Sequence, residues 1–259
     1  LGFRTQALDS PAAKTAYGLK KGQDGVLVIK IFEGSPAAEV FMENDVILSI
    51  DDFDIAEDGT IRLSEDLLTD YKHAIDMHHI GEEIHVRYSR DGIERSTELK
   101  AEKALDNYSL VKGEQFDRTP QYYIYGGVLF VPLNMNLIKR WGSDWSRSAP
   151  VSLLQMRSEW SSPDREEVVV ALQVLAADVN LGYHDWRNWV VESVNGRSIK
   201  NFSEFANLLE SNSKDNVVFE NKNGYQMVIN HSEAIESEAS ILQQYRIPAA
   251  QSPGLFSTH

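Results

Sequence analysis

The same succession of elements can be read twice along the 259 residues: strand, helix, strand, strand, helix, hairpin. A repeat of elements rather than of letters favours two similar domains of ordinary size over one large one. In the first pass, residues 1–7 predict a strand. Asp9, Ser10 and Pro11 then supply a cap and a first-turn proline for a helix over 12–19. The nearly continuous apolar run at 25–31 predicts a strand buried on both faces. Glu33-Gly34-Ser35-Pro36-Ala37-Ala38 predicts a turn with a short capped helix, and 45–50 a further strand. Ser64-Glu65-Asp66 opens a longer predicted helix through about His79, with Leu67, Leu68, Tyr71, Ala74, Ile75 and His78 at helical spacing. Residues 83–90 and 93–101 then form a hairpin across Asp91-Gly92, because glycine tolerates the positive φ of a type I′ turn.

Residues 105–120 are polar and weakly patterned and predict a linker, after which the succession restarts. Strand 127–133 and short helix 134–141 lead into a polar insertion at about 140–165 that contains Trp141, Trp145 and Trp160. Those tryptophans are read as local packing rather than as a contact surface for another domain. A strand follows at 167–176, and 189–194 leads into a turn at Asn195-Gly196. Helix 201–211 places Phe202, Phe205, Leu208 and Leu209 on one face. Strands 217–221 and 225–230 pair across Asn223-Gly224, and an amphipathic helix covers 232–245. The expected fold is α+β, mostly β. A first domain spans 1–104, a second 121–248 with the insertion and the C-terminal helix, and 249–259 forms a flexible tail.

Composition narrows the function. At 42% hydrophobic and 25% charged residues, the chain can bury a sizeable core. No apolar run approaches the ~20 residues that span a bilayer, so no membrane span is expected. The absence of cysteine excludes disulfides, thiolate nucleophiles and Cys-ligated zinc together, which fits a periplasmic protein and many cytosolic ones. A net charge of −14 repels a phosphate backbone, and no basic stripe offsets it, so nucleic acid is not an expected partner. The chain opens on Leu1 without a basic segment and apolar signal region, and reads as a piece of a longer protein.

Each half resembles a PDZ domain in the circularly permuted arrangement of HtrA/Deg serine proteases. In the first half the resemblance rests on Leu1-Gly2-Phe3, on the Glu33 to Ala38 turn, on Asn44-Asp45-Val46-Ile47-Leu48-Ser49-Ile50 and on Arg90-Asp91-Gly92. Asn44 stands where that family has glycine; asparagine is the next best residue at positive φ, so the turn is expected to persist. In the second half, the run from Tyr122 to Leu133, Ala177-Asp178-Val179-Asn180-Leu181-Gly182-Tyr183, Val194-Asn195-Gly196 and Tyr245-Arg246-Ile247-Pro248 resemble the plant-type Deg branch. The resemblance implies two small, partly open β-barrels or sandwiches, each with two helices.

A PDZ groove works by strand addition, with the ligand's carboxylate held by main-chain amides in a tight loop. Leu1, Gly2 and Phe3 match that loop, Arg4 and Thr5 the start of the pairing edge, and Leu67, Tyr71 and Ile75 of the predicted helix the opposite wall. In the second half Tyr125, Gly126, Gly127 and Val128 occupy the equivalent loop, facing Phe202, Phe205 and Leu209. That loop reads either as a second ligand groove or, if the insertion and final helix cover it, as a packing or assembly surface, the role the resemblance implies. The partners implied are protein C-termini or unfolded substrates, an absent protease domain and further copies of the chain.

No catalytic residues are expected. The Gly-Asp-Ser-Gly-Gly type segment of the family's protease is missing, as is any Gly-x-Ser-x-Gly elbow. His73, His78, His79 and His85 lie close in sequence, but His73 and His78 are five apart on a predicted helix and off one face, so no metal or other cofactor is expected. The leading reading is a regulatory, substrate-recognising segment of a serine endopeptidase in protein quality control. The alternative is a stand-alone scaffold without a protease.

Overall fold

The structure is a computed structural model and describes residues 1–102 and 105–256. The domain end expected at 104 and the last three residues of the expected tail lie outside the described residues. The chain divides into two compact units, Leu1–Tyr108 and Ser109–His259.

In the first unit the elements are β1 (Phe3–Ala7), α1 (Pro11–Ala16), β2 (Val26–Ile31), β3 (Val46–Ile50), β4 (Phe53–Asp54), β5 (Thr60–Ser64), β6 (Leu67–Asp70), α2 (Lys72–Asp76), β7 (Glu83–Arg90) and β8 (Ile93–Lys100). The main sheet runs β1-β2-β3-β7-β8 and is antiparallel, with β4 attached to β3. Val26 and Val28 face the main core while Leu27 packs with Leu8, Val46 and Leu48 beneath α1. Both faces of β2 are therefore buried over residues 26–28, whereas Ile29 and Lys30 are exposed, so the burial expected along the whole run holds for its first half.

Two motifs separated in sequence turn out to be one contact. Arg90 grips Asp45 with two hydrogen bonds, Nε to Oδ1 at 2.8 Å and Nη2 to Oδ2 at 2.7 Å, and donates a third to the Val40 carbonyl. Asp45 is only 2% exposed and also accepts from Met42 N–H. A buried carboxylate needs such a set of donors, and the fork of an arginine supplies two at once. Asn44 takes φ 78°, while Asp91 and Gly92 at 52° and 77° make the expected hairpin turn.

The long helix expected over 64–79 does not form. Residues 67–70 instead pair as β6 with β5 across Glu65-Asp66, and only Lys72–Asp76 is helical. The apolar spacing is misleading here because only part of it meets a core. Tyr71 and Ala74 are buried, but Leu67 and Leu68 are 52% and 57% exposed. Pairing with β5 satisfies the backbone of 67–70 where a helix would have had no apolar face to cover.

The second unit contains β9 (Tyr123–Tyr125), β10 (Val128–Pro132), α3 (Met135–Ile138), α4 (Trp145–Ser148), α5 (Val151–Met156), β11 (Val169–Val174), β12 (Arg187–Val191), β13 (Ser193–Val194), β14 (Arg197–Ser198), α6 (Phe202–Glu210), β15 (Asn216–Glu220), β16 (Gln226–Asn230) and α7 (His231–Tyr245). Its sheets run β12-β11-β10-β9 and β14-β13-β15-β16. Val169 and Ala171 of β11 pack with Phe202, Phe205 and Leu209 of α6, whereas Val168 and Val170 pack on the opposite face against Ile138, Leu153 and Met156. The insertion thus builds a core of its own on the outer face of the first sheet, and Trp141 and Trp145 pack against it. Arg157 lies 5.0 Å over the Trp145 ring.

The polar stretch read as a linker is not uniformly exposed. Tyr108 is buried in the first unit and stacks on Phe32, and Leu110 and Val111 are buried in the second. Nor does the tail hang free through 256, since Ser252 and Leu255 are buried and Tyr123 bridges to Gln251. Three or four apolar side chains scattered in polar sequence give no periodicity to read, yet each finds a hydrophobic neighbour.

Candidate peptide-binding edge

In the first unit, β1 is the outermost strand of its sheet and pairs only with β2 among the described residues. Phe32 N–H donates to the Gly2 carbonyl at 2.9 Å, and Phe3 lies opposite Ile31. Antiparallel ladders alternate, so this bond turns the amide and carbonyl of Phe3 away from β2, toward the outer edge. The Gly2 amide itself meets no acceptor among the described residues.

The turn at 33–38 holds this loop from behind. Ala37 N–H donates to the Leu1 carbonyl at 3.1 Å and Ser35 Oγ donates to the Gly2 carbonyl at 3.2 Å. The Leu1 and Gly2 carbonyls are thus consumed internally; Gly2 and Phe3 are buried, with the Tyr108 ring close to Gly2. Gly2 adopts φ 92°, and a Cβ there would lie 2.1 Å from Ser35 Cβ, so only glycine fits. Leu1 and Phe3 are buried in the main core, Phe3 edge-on to Phe41 at 5.5 Å.

The structure brings Tyr71 and Ile75 to the same core as Leu1 and Phe3, but not Leu67, which sits on the exposed β5–β6 hairpin. Tyr71 Oη and Thr5 Oγ1 are 2.9 Å apart, a contact the sequence did not signal. Burial pushes the Tyr71 phenol up to about 12. Arg4 is exposed beside it. The histidines do not gather: His78 lies between Asp51 at 2.7 Å and Glu82 at 3.5 Å, while His73, His79 and His85 are exposed.

The second unit treats the corresponding loop differently. Gly126 and Gly127, at φ 53° and 78°, form a two-residue turn that folds β9 back along β10, pairing Tyr125 with Val128 and Tyr123 with Phe130. Tyr123 and Tyr125 then fill the space against Phe202, Phe205 and Leu209. Tyr123 donates to Glu210 Oε1 at 2.6 Å and Tyr125 Oη lies 2.6 Å from His231 Nδ1. Burial raises both phenols, with the Glu210 carboxylate adding to it. Beyond β9, Ile124 N–H donates to the Ala250 carbonyl, so the edge is covered twice. Asn180 is wholly buried and donates at 2.8 Å to both the Gly126 and Leu175 carbonyls. Val228 N–H on edge strand β16 donates to Tyr183 Oη at 3.0 Å. The Ala177 to Tyr183 motif is thus a set of closures. The insertion packs on the sheet's other face, and β9 and α7 cover the loop.

Residues 111–254 match a family described as PDZ domain, residues 1–101 match a second family of the same description, and the chain therefore belongs to the PDZ-domain proteins. Its two PDZ domains stand in tandem and fit the PDZ part of a Deg-family protein. It is 27% identical over 96% of its length to Protease Do-like 4, mitochondrial, from Arabidopsis thaliana, covering 45% of that protein. It is 28% identical over 100% to Protease Do-like 2, chloroplastic, of the same plant, covering 42%. The Serine protease DegP homolog of Plasmodium falciparum (isolate 3D7) is 24% identical over 73% of the chain, which covers 21% of it. The chain spans less than half the length of these relatives. Among the described residues, no helix is long and apolar enough to cross a membrane.

Proposed function

We propose that the first domain binds the C-terminal segment of another polypeptide by adding it as a strand to the outer edge of β1, its carboxylate held at the Gly2 and Phe3 amides. The observation that carries this reading is a Gly2 amide with no acceptor among the described residues, directly before a strand edge that is unpaired among them. Arg4 and Thr5 lie along the incoming strand, and Tyr71 and Ile75 form the facing wall. The second domain, whose loop is closed by β9, serves packing and assembly. In a Deg-type parent this pair of domains selects exposed protein ends for a serine endopeptidase in quality control, and the chain on its own turns over no substrate.

The test is fluorescence anisotropy with a labelled peptide ending in apolar residues, offered as the free acid and as the amide. Hydrogen bonds to a charged group contribute about 1.5–3 kcal/mol, so amidation is expected to weaken binding roughly 10- to 100-fold. Equal affinity for acid and amide would sink the assignment.

A further inference from the structure

Past Tyr123 the edge of β10 is no longer covered by β9, and there the second unit opens a cleft of about 1020 Å³. Val131, Leu133, Leu137 and Leu172 give it apolar walls, and Lys112, Arg118 and Arg140 give it cations. A second cleft of about 490 Å³ shares Arg140 and Leu172 with the first and adds Trp186 and Arg187. Two lobes that meet at one arginine make an extended path. Together they exceed the roughly 300–1,000 Å³ typical of small-molecule sites, which suits a stretch of chain better than a compact ligand.

Charge is the second observation. In a chain of net charge −14, Arg87, Arg90, Arg165 and Arg197 are held in ion pairs, while Arg62, Arg95, Arg147 and Arg246 form none among the described residues, so the cleft is set apart by gathering its cations along one lining. Arg118, Arg140 and Arg187 are exposed and form no ion pair among the described residues. Of the two carboxylates lining the lobes, Glu167 accepts from Phe202 N–H, which leaves Asp185 alone against the row of cations. Cations over low-dielectric walls focus a positive potential in the cleft despite the overall negative charge.

We propose that this double cleft binds an extended acidic peptide segment in which carboxylates alternate with apolar side chains. The carboxylates meet Arg118, Arg140 and Arg187, and the apolar side chains lie on Val131 and Leu172. Such a segment needs no free chain end, so the site is independent of the β1 edge and would survive the failure of that reading.

The probe is a labelled hexapeptide of alternating Leu and Glu, blocked at both ends, titrated against the full chain by anisotropy. Saturable binding is expected, weakened about tenfold or more by the double variant R118E/R140E. The exposed, unpaired arginines let that variant keep the parent's thermal unfolding profile. A Ser-Glu hexapeptide and a Leu-Lys hexapeptide are expected not to bind. Unchanged affinity in R118E/R140E, or equal binding of the Ser-Glu peptide, would overturn the proposal. So would displacement of the hexapeptide by octanoate at comparable concentration, which would mark a small-molecule site.

Discussion

The two domains begin with comparable glycine loops and use them in opposite ways. At Gly2 the backbone before the loop is tied to the 33–38 turn through the Leu1 carbonyl, and the outer edge of β1 is unpaired among the described residues. At Gly126-Gly127 a second glycine completes a type I′ turn, and the chain returns along β10 as its own partner strand. An edge with bare amides is a receptor until something pairs with it. One additional left-handed residue distinguishes the loop whose chain returns as its own partner from the loop whose edge stays unpaired among the described residues. A glycine motif at the head of a strand is therefore informative about ligand binding only together with where the preceding residues go.

The largest effect should separate the two loops. Gly2→Val forces Ser35 aside and is expected to cost the first domain at least about 1000-fold in peptide affinity, equal to about 4 kcal/mol. Gly127→Val, whose Cβ would lie 2.4 Å from Asn180 Nδ2, should lower the unfolding temperature of the second domain and leave that affinity alone. If both changes reduce peptide binding alike, the contrast between the loops collapses. Next, Asp45→Ala strands Arg90 in a partly buried site and is expected to destabilise the first domain by about 3 kcal/mol in urea unfolding. Asn180→Ala removes the donor to two carbonyls and should cost the second domain about 2 kcal/mol, with no change in first-domain binding. The smallest effect belongs to Tyr71→Phe, about 1 kcal/mol of first-domain stability.

Alkali offers a further way to sharpen the comparison. Burial favours the neutral Tyr71 phenol, raising it from its ordinary value of 10.0 to about 12. A raised acid contributes its full stability below the ordinary value and loses it as pH climbs through the folded one. First-domain stability should therefore fall between pH 10 and about 12, and fall less in Tyr71→Phe. An identical alkaline profile in both proteins would show that Tyr71 is not the group responsible.

Much of the fold was legible in the residues. Asp91-Gly92 and Asn44 announced positive φ by chemistry that acts locally, and the Glu33 to Ala38 turn announced a capped bend. The run at 167–176 read as a strand, and its apolar continuity comes from a core on each face. What failed was the choice of partner. Leu67 and Leu68 have helical spacing with Tyr71 and Ala74, but periodicity does not say whether a core waits opposite. Tyr123 to Tyr125 looked like the approach to a loop, and nothing local marks it as a strand that folds back onto β10. Asn180 was visible inside a motif, while its task of satisfying two carbonyls depends on residues 54 positions earlier and five earlier. Local turn chemistry is written in adjacent letters, whereas pairing and burial are properties of distant ones.

The close approach of Ser35 to position 2 has a bearing on how variation in such a domain would be interpreted. A library randomised at that position and sorted only for folded protein would return glycine, whether or not anything ever docks alongside. Constancy there is a signature of assembly and carries no news about ligands.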